Sequence, residues 1–205
     1  MLYTYRVFRF FYVKVACVVS SLFTRLLFYI HGVEMENNFQ TNGILRLYMH
    51  NTARFKIGNN LKLNNTIRSN PIGRSEKCIF VIREHANIII GNNVGMSGVV
   101  LVAHKEIIIK DNVKIGGNVC IYDTDFHALN SIDREIPTND KKNTKQSTVI
   151  IEENVFIGAH STILKGVKIG KNSIIGACSV VTKDVPENEI WAGNPAKLIK
   201  KIDEI

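Results

Sequence analysis

The chain has 205 residues, of which 45% are hydrophobic, and carries 26 Lys and Arg against 18 Asp and Glu, a formal charge of +8. That is enough apolar material for one sizeable core. The basic balance admits phosphorylated ligands, anionic lipid or nucleic acid, but no zinc-finger spacing, RNA-binding signature or compact Lys/Arg run supports the last. Cys17, Cys78, Cys120 and Cys178 are far apart and form no CxxC pair, which excludes a cysteine metal framework and fits a reducing cytosol.

Residues 1–54 read as an apolar, basic N-terminal segment of helical character. Its first thirty residues are rich in Phe, Tyr, Val and Leu and are broken by Arg6, Arg9, Lys14 and Arg25. The longest uncharged run, Val15 to Thr24, is too short to cross a bilayer, and Arg25 with a further apolar run follows where a signal peptide would end. One reading is one or two helices packed on the body or on a neighbouring subunit. The other is a basic, aromatic helix resting on an anionic membrane surface.

Residues 55–190 carry a repeat. From Ile151 the chain divides into sixes: IEENVF, IGAHST, ILKGVK, IGKNSI, IGACSV, VTKDVP. Each first position is Ile or Val and each fifth is Val or Ser. IKDNVK, IGGNVC and IYDTDF from Ile109 obey the same frame, and fainter copies start at Ile57 and Ile90. A period of six fits neither a helix stripe nor a long two-sided strand. It suits short strands separated by corners, with the first residue pointing inward and stacking on its counterpart in the next coil. Asn60, Asn93, Asn112, Asn118, Asn154 and Asn172 fall on the fourth position, where a corner needs left-handed backbone angles.

The frame breaks at residues 127–148, "HALNSIDREIPTNDKKNTKQST", a polar stretch between two good blocks and so a loop extruded from the coil. His127 stands where it leaves. Residues 191–205 form the tail, with "AKLIKKI" as a short helix near one open end of the coil.

With "IYDTDFH", "IGACSVVTKDVP" and "WAGNPAKLIKKI", the chain resembles the hexapeptide-repeat acyltransferases, above all the bacterial sugar and polysaccharide O-acetyltransferases. The resemblance spans roughly residues 55 to 200. It implies a left-handed parallel β-helix, an all-β fold. It also implies acetyl-CoA as co-substrate, a homotrimer with sites between subunits, and a sugar or glycan acceptor. The scattered cysteines point to the cytoplasm, and the basic, apolar N-terminus suits an enzyme working against the inner membrane face through residues 1–30.

The same resemblance makes His127 the general base for a hydroxyl attacking a thioester. Asp125 is the favoured carboxylate beside it, because strand alternation puts Asp123, Asp125 and His127 on one face. Asp123 could instead bind a sugar hydroxyl or satisfy turn amides. Ser97 and Arg134 are further acceptor candidates, against a glycine-rich corner and a surface charge. Coenzyme A is expected along Phe156, Ala159, Ala177, Thr182, Lys183 and Lys200, although small residues suit any tight coil. Two positions depart from the family pattern: Phe156 stands where Trp is frequent, and Lys165 where Pro is common. No HxxxH or HxxxxH pair exists, so no metal is expected. An acetyltransferase for an amino sugar, serine or antibiotic is one alternative, and a non-catalytic β-helix assembly module is another.

Overall fold

The structure, a computed structural model, describes residues 2–36, 38–67, 71 and 77–202. Three parallel sheets run its length, and the chain visits them in rotation. The first holds Glu34–Met35, Arg54–Ile57, Asn87–Ile90, Glu106–Ile109, Val149–Ile151 and Lys168–Ile169. The second runs through Phe39–Asn42, Leu61–Asn64, Gly95–Ser97, Lys114–Ile115, Phe156–Ile157 and Ile174–Ile175 to Glu189–Gly193. The third contains Arg46–Met49, Ile79–Ile82, Val100–Ala103, Cys120–Tyr122, Thr162–Ile163 and Val180–Val181. This is the left-handed parallel β-helix that the family resemblance implies, a fold outside the usual right-handed crossover preference.

The repeat explains the core. Ile151, Ile157, Ile163, Ile169, Ile175 and Val181, the first residues of six consecutive hexads, are all fully buried. They stack coil on coil in strict register, as in Ile115–Ile157–Ile175 and Ile121–Ile163–Val181. Burying each aliphatic side chain contributes about 1.5–3 kcal/mol. The fifth positions are buried too, and the serines there are satisfied by corner carbonyls: Ser161 and Ser179 donate to Gly176 O, and Ser173 to Pro186 O.

All six repeat asparagines adopt φ near +60°. Asparagine is favoured there for a second reason, since its side-chain amides bond along the prism edge: Asn60 to Asn93, Asn93 to Asn112, Asn154 to Asn172 and Asn172 to Asn188. Neighbouring corners approach so closely that a Cβ on Gly158 would lie 2.5 Å from the Ala177 nitrogen.

Three features differ from the sequence expectation. The coil begins at Glu34, some twenty residues before position 55, because its first strands carry no legible hexad. The tail is not a helix: Ala196–Lys201 pairs antiparallel with Glu189–Gly193. That hairpin covers the edge of the last coil, whose strand amides a helix would leave unpaired. The extruded segment is a pair of short helices, α2 (Ser131–Glu135) and α3 (Pro137–Asn143), closed at its neck by a Thr124–Gln146 bridge and by Ser147 N–H donating to Asp123 O at 2.8 Å.

The N-terminal segment is one helix, the first in the chain, α1 (Leu2–Ile30), written αN below. Its second half packs on the Phe39–Asn42 strand, where Phe28 inserts between Phe39 and Phe55 at ring distances of 5.8 and 5.7 Å. It thereby caps the open end of the coil.

Candidate active site

The third sheet and the corner that follows it position the extruded segment. After Cys120–Tyr122, where the coil would turn into the first sheet, the chain bends outward with Phe126 at φ +63°. Extended alternation stops at Tyr122, so it does not align Asp123, Asp125 and His127, and the three lie in different surroundings.

His127 Nδ1 lies 2.7 Å from Asp140 Oδ2. The other oxygen of Asp140 accepts the Ala128 N–H at 2.6 Å. Asp140 therefore holds both the imidazole and the backbone that carries it. These two bonds, the imidazole first, keep its carboxyl below the usual carboxylate range. A carboxylate facing Nδ1 retains the proton on that nitrogen and leaves Nε2 to accept one. The His127 side chain is 70% exposed in the single chain.

Asp125 does not touch this pair. Its Oδ1 is 2.9 Å from Lys165 Nζ, and its other oxygen is buried without a partner. The lysine that departs from the family's proline thus engages the carboxylate expected beside the histidine. The orienting carboxylate is Asp140, thirteen residues further on, which no periodicity could have located in the polar stretch.

Asp123 is also not presented to an acceptor. It is fully buried, and its oxygens accept the N–H groups of His104, Lys105 and Glu106 at 2.7, 2.7 and 2.6 Å. Burial pushes its carboxyl above the usual range, against the pull of those amides. Arg134 is likewise committed, donating to the Ala128 and Leu129 carbonyls at 2.8 Å each and so bracing the segment behind His127. Ser97 is buried on the second sheet and accepts from Asn64 at 3.1 Å. None of the three acceptor candidates meets His127 within the chain.

A cavity of about 570 Å³ lies on the coil side of α3, lined in part by His50, Arg83, His104, Phe126 and Asp140. His50, Arg83 and His104 follow successive strands of the third sheet and so stack along one corner. Burial lowers the His104 pKa, its Nε2 is enclosed without a partner, and its ring meets Phe126 edge-on at 6.1 Å. Sequence reasoning passed over this stack because its spacing follows the coil length.

The expected coenzyme residues divide between two places. Phe156, half-exposed on the second sheet, leads to Ala159 and Ala177, stacked at the next corner, while Lys200 lies on the added strand of the same sheet. Thr182 and Lys183 follow the third sheet at the corner from which the His127 segment leaves, two coils along, a rise of roughly 10 Å. Lys183 Nζ sits 5.5 Å over the Trp191 ring. The Phe156–Ala159–Ala177 strip and His127 therefore occupy different edges of one prism.

Residues 148–183 match the family model described as bacterial transferase hexapeptide (six repeats). Galactoside O-acetyltransferase of Lactococcus lactis subsp. lactis is 41% identical over 105 residues, 51% of this chain and 47% of that protein. The match spans 58% and 47% of the length of two curated relatives and about a quarter of that of others. Among solved structures, a hexapeptide-repeat acetyltransferase of Vibrio cholerae O1 biovar eltor complexed with acetyl coenzyme A is 31% identical, with a TM-score of 0.52 over 57% of this chain and 61% of that one. A mutant N-acyltransferase of Bacillus cereus in complex with dTDP and coenzyme A is 26% identical, with a TM-score of 0.68 over 88% and 89%. The resemblance read from the hexads therefore holds: this chain carries the bacterial transferase hexapeptide repeat on a left-handed β-helix, and its structural neighbours include a hexapeptide-repeat acetyltransferase and an N-acyltransferase.

Proposed function

We propose that the protein is an acetyl-CoA-dependent O-acetyltransferase acting on a hydroxyl of a sugar or surface-glycan intermediate, as a homotrimer. The observation that carries this reading is the His127–Asp140 pair at 2.7 Å, at the neck of a segment braced by Arg134. Nε2 takes the proton of the acceptor hydroxyl as its oxygen attacks the thioester carbonyl. Collapse of the tetrahedral intermediate expels the coenzyme A thiolate, to which the imidazolium returns the proton. The Asp140 carboxylate keeps the ring in the accepting tautomer and offsets its charge.

The separation of His127 from the Phe156–Ala159–Ala177 strip supports a site shared between subunits. A groove between two protomers brings the strip of one against the histidine of the other. Lys183 and Lys200 supply point charges for the coenzyme's phosphates. The relatives and neighbours support the donor: one solved neighbour holds acetyl coenzyme A and another coenzyme A.

An amine acceptor, such as an amino sugar, is the second reading. The N-acyltransferase neighbour favours it, since it matches over 88% of this chain. The test is thiol release from acetyl-CoA with a panel of sugars, amino sugars and glycan fragments, comparing native protein with His127→Ala. Acceptor-dependent release that falls roughly 10²–10⁴-fold in the variant is expected. Equal release by both proteins would remove His127 from its role, and the best acceptor in the panel separates hydroxyl from amine.

A further inference from the structure

The αN helix turns its polar side inward. Cys17, Ser20, Ser21 and Thr24 face the coil, with Gln40 donating to Cys17 Sγ, Gly43 N–H to Ser20 Oγ and Thr41 N–H to Ser21 Oγ. The opposite side is uniformly apolar and bare: Leu22, Phe23 and Leu26 are 62, 57 and 54% exposed. At 3.6 residues per turn, Phe8, Phe11, Val15 and Val19 continue that stripe toward the N-terminus, and they too are exposed. Arg6, Arg9, Lys14 and Arg25 all project from the coil-facing half, so the stripe from Phe8 to Leu26 carries no charge along roughly 27 Å of helix.

We infer that this stripe lies in the plane of an anionic lipid bilayer, seating the capped end of the coil on the membrane. A helix of this kind has apolar and aromatic residues on one face and Lys or Arg on the other, at headgroup level. The basic flanks select lipid over a second copy of the chain, because face-to-face packing of two such helices brings like charges together. Exposed Arg46, Arg54 and Lys56 on the first two coils add to the same field, against exposed Glu34 and Glu36.

By length and composition the helix could also cross a bilayer. Its packing argues otherwise. From Cys17 to Phe28 one side is committed to the coil and cannot be ringed by lipid. Before Cys17, Arg6, Arg9 and Lys14 recur every three to five residues, so no all-round apolar stretch of about 20 residues exists.

The test is flotation of the full chain with phosphatidylcholine vesicles containing about one third phosphatidylglycerol, and with phosphatidylcholine alone. The chain should float with the anionic vesicles and be released by high salt. Removing charge in Arg6→Gln, Arg9→Gln and Lys14→Gln should weaken binding roughly fivefold for each residue. The double variant Leu22→Glu, Leu26→Glu should lose binding by more than about tenfold. Both leucines lie outside the core, and an unchanged melting temperature would certify the fold. Failure of the native chain to float, or equal flotation of the double variant, overturns the inference. So does retention through alkaline carbonate extraction, which would mean a crossing helix. Lipid-free self-association lost in the double variant, with no vesicle binding, would identify a second copy as the occupant. None of these readouts depends on acetyl transfer.

Discussion

Replacing Asp123 by alanine separates two readings of one residue. If the carboxylate clamps the 104–106 corner, the substitution strips the acceptor from three backbone N–H groups now bonded at 2.6–2.7 Å. Each amide left unsatisfied costs about 1–3 kcal/mol, a gross loss of roughly 3–9 kcal/mol. Removing a fully buried carboxyl returns part of this, because its desolvation is no longer incurred. The net expectation is about 2–5 kcal/mol. At about 2–4 °C per kcal/mol for a chain of this size, the melting temperature falls by roughly 5–15 °C. Asp123→Asn keeps one acceptor oxygen and should lie between. The assay is thermal unfolding followed by circular dichroism, with acetyl transfer measured well below the transition. A melting temperature within about 2 °C of native, with transfer nevertheless lost, would refute the clamp and return Asp123 to the acceptor.

Asp140→Asn should lower kcat while leaving the KM for acetyl-CoA within about twofold, because the amide can present its N–H₂ to Nδ1 and select the tautomer that cannot accept at Nε2; steady-state kinetics reads the split. The Asp140 carboxyl is held low chiefly by the His127 bond, so its grip on the Ala128 amide is complete above the usual carboxylate range and is lost as pH falls through its lowered value. The Ala128 amide resonance should therefore titrate with a midpoint below that range. Gly158→Ala forces a methyl against the Ala177 backbone and should cost about 1–3 kcal/mol in a urea melt, with no effect expected if the two coils separate freely. Burial pushes the Cys78 thiol up to about 11, so at pH 8 a thiol reagent should modify exposed Cys178 and leave Cys78 intact until the protein unfolds.

The hexads made the coil legible because each six-residue unit faces the same local demands: an inward aliphatic, a tight corner, and a residue tolerant of positive φ. Ile151 through Val181 and the asparagine corners were readable for that reason, and so was the interruption that begins at His127. The first coils at Glu34–Met49 were not, since their inward positions are filled by Phe39, Thr41 and Leu47 without a frame. Tertiary structure decided what the interruption contains. Asp140 reaches His127 because two short helices fold the segment back on its own neck, while Asp125 is drawn aside by Lys165 from the next coil. Asp123 is buried by amides eighteen or so residues away. The sidedness of αN was equally hidden: composition shows an apolar, basic helix, but only packing reveals that Ser20, Ser21, Thr24 and Phe28 face the coil while Leu22, Phe23 and Leu26 face outward. Periodic sequence encodes contacts that recur at a fixed spacing. Single contacts across loops and helix faces depend on where the chain returns, and that is set by the assembled coil.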